Sequence, residues 1–123
     1  MEDVLEYISK VLKAFTKWPI MQGIMPDMPD EVITINQVDS KPPLKTFGGI
    51  NCYYGIEVKT RAKVHEKAYM QIKMVEEKLN AKNDERYDIK QETPVKYEGR
   101  EDKQRHEYTI RFEVFDKKGS EVP

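Results

Sequence analysis

The sequence predicts an α+β fold: one mixed or antiparallel sheet of about four to five strands with two helices, in the order α-β-β-β-α-β-β. Three observations carry this. Two stretches repeat apolar residues at helical spacing, one at the start of the chain and one in its middle. Other stretches are β-branched or alternate apolar with polar side chains, as strands do. Gly- and Pro-rich passages separate them, and no internal repeat marks a second domain. The 123 residues therefore read as a single domain, 1–123, with 117–123 as a flexible tail.

Residues 2–17 predict an amphipathic helix. Val4, Leu5, Ile8, Val11, Leu12 and Phe15 share one face, with Lys10, Lys13 and Lys17 on the other. Glu2 and Asp3 at its start and lysines towards its end match the helix dipole. Trp18-Pro19 ends it, because proline disfavours helical geometry in the residue before it. Ile20-Met21 is a short strand, and Gly23 to Asp30 is a loop by composition. Residues 31–37 are β-branched and predict a strand; residues 39–49, with Pro42-Pro43 and Gly48-Gly49, predict a loop too long for a tight hairpin. A strand over 52–60 leads into a helix over 63–82, whose inward face reads Ala68, Ile72, Val75 and Leu79. Residues 87–97 form a strand candidate in which Pro94 argues for an edge or a break. Residues 98–103 read as a charged turn, and 105–115 as the clearest strand, with Tyr108, Ile110, Phe112 and Val114 on one face. Each helix carries one apolar stripe, so both should pack on the sheet, on the same or opposite faces.

Composition narrows the function classes. An apolar fraction of 38% and a charged fraction of 35% imply a modest core beneath a strongly hydrated surface. Lys and Arg number 21 against 22 Asp and Glu, and the balance holds in both halves of the chain. Nucleic acid and anionic membranes call for a concentrated positive field, so neither is expected as a partner. The single cysteine, Cys52, has no internal disulfide partner, which points to a reducing compartment. No apolar run approaches a membrane span, and the acidic N-terminus lacks a signal peptide's basic region. The expectation is a protein made in a cytoplasm that leaves it only inside a larger particle.

Few residues suggest chemistry. Cys52 and His65 form a Cys/His pair close in sequence, but no third group to orient the base is evident. His65 and His106 have no partner at metal-ligand spacing. Asp27, Asp30 and Glu31 could be drawn as a Mg²⁺ site of a small metal-dependent nuclease. They share one loop, however, where turn formation and capping by Asp explain them without a metal. No metal or cofactor is expected, and no catalytic residue is assigned. Tyr53, Tyr54, Tyr87, Tyr97 and Tyr108 make a tyrosine-rich sheet suited to core packing or a protein interface more than to base stacking. The loop 39–49 offers Lys41, Leu44, Lys45 and Phe47 on a Pro/Gly frame. It reads either as a docking arm or as a loop folded back on its own domain.

Several features together carry a family resemblance. They are the N-terminal helix, the passage Met25-Pro26-Asp27-Met28-Pro29-Asp30-Glu31, the strand Val32-Ile33-Thr34-Ile35 and a Gly/Pro loop. A tyrosine strand then closes in Val58-Lys59-Thr60-Arg61-Ala62 and feeds a helix with Ala68, Ile72 and Leu79. Over residues 2–82 the chain resembles phage minor-capsid and tail-completion proteins, and is similar to the tail terminators of long-tailed phages. The resemblance implies a virion protein assembled in the host bacterial cytoplasm. It would form a ring, commonly of six copies, at the head-proximal end of the tail tube. Its partners would be other copies of itself, the tail-tube protein and the head connector. Arg61 carries over as a charged interface or ring-stabilising residue. The strongly charged C-terminal part departs from the pattern, and a head-completion or connector role in the same particle is the nearest alternative.

Overall fold

A computed structural model describes residues 4–38, 44–46 and 49–117. Along the chain lie α1 (Val4–Lys13), β1 (Ile20–Gln22), β2 (Val32–Val38), β3 (Leu44–Thr46), β4 (Gly49–Ala62), α2 (His65–Leu79), β5 (Tyr87–Gln91), β6 (Lys96–Arg100) and β7 (His106–Asp116). The strands pair in the order β1-β2-β4-β7-β5, with β3 added to β4 and β6 to β7. β1 runs parallel to β2 and the remaining pairs are antiparallel. The fold is therefore the α+β sheet with two helices that the sequence predicts.

Side-chain alternation decides where the core lies. Ile56, Val58 and Ala62 of β4 and Ile110, Phe112 and Val114 of β7 are fully buried on one face. Ala68, Ile72, Val75 and Leu79 of α2, with Val4, Ile8 and Leu12 of α1, complete the same cluster, so both helices cover one side of the sheet. Burying each large apolar side chain contributes about 1.5–3 kcal/mol relative to leaving it in water. Thr60 sits in this row and is buried as well; its hydroxyl donates to the Ala68 carbonyl at 2.9 Å, which ties β4 to α2.

Three local differences from the sequence reading have physical causes. α1 stops at Lys13 because the Phe15 N–H bonds the Leu12 carbonyl in a tighter turn, and Thr16 then accepts from the Trp18 N–H. Phe15 consequently lies outside the apolar stripe, 50% exposed, with the Lys78 ammonium 4.5 Å above its ring. Residues 96–100, mostly read as charged turn, form β6, because pairing with β7 makes a strand of them despite their polar side chains. The break that Pro94 predicts falls between β5 and β6. β6 carries a bulge between Tyr97 and Gly99, where Gly99 takes a φ of +100° that a side chain would resist. β3 occupies part of the passage read as loop. It pairs with Gly49–Asn51, whereas β4 meets β2 only from Gly55 and β7 only from Cys52. The β3–β4 ribbon thus continues past the end of both neighbouring strands.

Candidate functional site

The most constructed feature outside the core is the Pro-rich loop between β1 and β2, which two arginines hold from beneath. Strand alternation places Arg61 on the face of β4 away from the helices, opposite Val32 of β2. Its guanidinium is 2% exposed and donates to four loop carbonyls. Nη1 reaches that of Pro26, Nη2 those of Asp27 (3.3 Å) and Pro29 (2.6 Å), and Nε that of Asp30 (3.4 Å). Buried polar groups need such partners. The planar fork of Arg supplies them where a Lys ammonium would offer a single point. The Met28–Pro29 peptide within this loop is cis.

Arg105, immediately before β7, is the second anchor and is 1% exposed. Its Nε and Nη2 form a fork on the two Glu101 carboxylate oxygens, each at 2.8 Å. Its Nη1 donates to the Asp27 carbonyl and to Asp30 Oδ1 (3.2 Å). The Glu101 carboxylate also accepts from the backbone N–H groups of Lys103 (2.9 Å) and Arg105 (3.1 Å). Hydrogen bonding from Arg105 holds the Glu101 carboxyl down at about 2, and the same bond raises the Arg105 guanidinium. Burial lowers Arg61, helped by the nearby Arg105 charge. Asp27 is lowered by its hydrogen bond from Lys103 at 2.6 Å.

With its backbone fastened inward, the loop turns apolar side chains outward: Ile24 is 91% and Met28 62% exposed. Beside it runs a groove of about 720 Å³, lined among others by Trp18, Met28, Pro29, Lys63, Val64 and Lys67.

The residues singled out by sequence fall in separate places. Arg61, expected as a charged interface residue, is buried under its own loop; any influence on a partner passes through the loop it positions. Leu44 and Lys45 lie in β3, on the projecting ribbon, while Lys41, Phe47 and the tail residues 118–123 are outside the described residues. Asp27, Asp30 and Glu31 each face a cation: Asp27 meets Lys103 and Arg105, Asp30 meets Arg105 and Lys63, and Glu31 meets Lys67 at 3.6 Å. Among the described residues no three His, Cys, Asp or Glu side chains are placed to hold a metal ion. Cys52 and His65 stand at opposite ends of β4, since Cys52 pairs with Asp116 while Ala62 pairs with His106. Tyr87 and Tyr108 are core residues, Tyr53 packs on Phe115 at 4.9 Å on the far face, and Tyr97 remains 44% exposed. They form no continuous platform.

Sequence reasoning missed Arg105 and Glu101. Glu101 lies in the stretch 98–103 that reads as a charged turn and Arg105 opens the strand read over 105–115, and only the β4–β7 register brings them beneath the loop. The available signal was an arginine abutting the cleanest strand of the chain.

No family model and no curated protein matches the chain. In fold, eleven chains of solved structures match it. One comes from a structure described as the virion of a native gene transfer agent particle, with a TM-score of 0.66 and 8% sequence identity. The match covers 89% of this chain and 90% of that one. At this identity the likeness is one of fold.

Proposed function

We propose that this chain is a structural protein of a phage or phage-like virion, of the tail-terminator type. It forms a ring at the head-proximal end of the tail, stops tube growth there and joins the tail to the head. The observation that carries this reading is the fold shared, over 89% of this chain, with a chain of a gene transfer agent virion. It agrees with the resemblance drawn from residues 2–82. Fold alone assigns no task, so the argument also needs a surface. The β3–β4 ribbon supplies one: it extends beyond the sheet body, as an arm that reaches a neighbouring copy would. The arginine-clamped loop supplies a second, because a rigid backbone presenting Ile24 and Met28 loses little entropy on docking. The working partners are further copies of the chain, the tail-tube protein and the head connector, meeting through heterologous contacts that close into a ring.

The test is the Leu44→Ser, Phe47→Ser double variant. Its circular dichroism and melting curve should match the parent, while ring formation and binding to tail tubes, followed by sedimentation and electron microscopy, should be lost. Unfolding of the variant would place these side chains in the chain's own core. A folded variant that still assembles would remove the ribbon from the interface.

A further inference from the structure

The chain has two histidines, and the fold brings them together. His65 opens α2, His106 opens β7, and their rings stack with centroids 4.8 Å apart and planes at 21°. Each is engaged by a tyrosine hydroxyl. His65 Nε2 shares a hydrogen bond with Tyr108, and His106 Nδ1 with Tyr97 at 2.8 Å. The Tyr97 ring lies 5.1 Å from those of both His65 and Tyr108, and Tyr69 of α2 lies 5.5 Å from Tyr108. Five rings from α2, β6 and β7 therefore form one cluster that joins the helix layer to the β6–β7 hairpin.

β6 has little else to hold it. It is five residues long, its side chains are mainly exposed, and the bulge at Gly99 interrupts its pairing with β7. Among the described residues the ring cluster is its side-chain attachment to the rest of the molecule.

The attachment suits neutral imidazoles and opposes charged ones. Two cations this close repel, and the start of α2 is the positive end of a helix dipole. From β6, Arg100 pairs in register with His106 and adds a third positive group. From α2 and β7, the other facing groups are the hydroxyls of Tyr69 and Tyr108; Glu66, next to His65, is exposed, as His65 itself is. Burial, then the charge of His65, then that of Arg100 depress His106 below the ordinary imidazole range.

We propose that the His65–His106 stack is a proton-operated latch: with the His106 imidazole neutral it fastens β6 to the start of α2, and protonation of His106 releases β6. The sign follows from linkage. A base whose folded-state affinity for protons is lowered binds them better once its surroundings open. The latch is thus closed above about pH 7 and weakens as the pH falls through the imidazole range. Release would uncover Tyr108, which is buried beneath the already exposed Tyr97, and alter the surface at this end of the sheet.

Hydrogen exchange tests this directly. The amides of Lys96–Arg100 are followed at about pH 7.5 and about pH 5.5, corrected for the intrinsic pH dependence of exchange. Protection of β6 should fall by about tenfold or more on acidification while the β4–β7 amides keep theirs. In the His65→Gln, His106→Gln double variant the acid-induced loss should vanish. Equal protection of β6 at both pH values in the parent, or the same loss in the double variant, would overturn the proposal. The parent's imidazole NMR titration provides a second reading that does not depend on β6 pairing in the variant. A His106 titration below the ordinary histidine value is expected; an ordinary one would refute the latch.

Discussion

A guanidinium offers five N–H donors in a fixed plane, and Arg61 directs its own at the carbonyls of a single loop. Replacing it with Leu leaves those carbonyls to find water through a disturbed loop. Arg61→Leu should cost roughly 2 kcal/mol, read as a shifted urea midpoint at unchanged slope. Glu101 gives a prediction with a definite pH window. Its carboxyl is held at about 2 against an ordinary 4.5, so the folded state prefers the ionised form. The stability this confers is complete above the ordinary value and is lost as the pH falls towards about 2. Glu101→Gln should be less stable than the parent at neutral pH, and urea denaturation in acid should show the two converging. The family resemblance marks Arg61 as a charged interface or ring-stabilising residue, not as the anchor of its own loop. A buried arginine is defined by its acceptors, and these come from residues 26–30, which composition marks only as loop.

At the scale of the element, α2 shows what a sequence can carry. Ala68, Ile72, Val75 and Leu79 fall at helical spacing, and these four are the buried residues of the helix. Its end was less legible. The helix stops at Leu79, the Asn80 N–H closes on the Glu76 carbonyl, and Ala81 takes a φ of +60°. That backbone region is costly for a residue with a Cβ and is usually occupied by Gly at this point. Ala81→Gly should therefore stabilise the protein by roughly 0.5–1 kcal/mol, seen as a raised melting temperature. β6 is the opposite case. Lys96–Arg100 is polar and carries a bulge, so neither alternation nor β-propensity marks it. Its strand character comes from the β7 backbone beside it, a tertiary effect outside any local window. β3 was hidden for a related reason: a three-residue strand within a Pro/Gly passage has too few positions to show a period.

For the whole molecule, one helix-covered sheet leaves its other face, its edges, the clamped loop and the β3–β4 ribbon for contact with other chains. The closed ring proposed above would draw on those surfaces. The overall architecture was readable because binary patterning sets it, whereas assembly depends on surfaces whose partners lie on other chains. If the proposed ring forms through the ribbon, the tail's length and its attachment to the head depend on this protein. The most direct measurement is electron microscopy of particles from a producing strain lacking the gene, with and without the protein supplied in trans. The account predicts headless tails whose tubes exceed the normal length, restored by the parent chain and not by the Leu44→Ser, Phe47→Ser variant. Tails of normal length joined to filled heads in its absence would contradict it.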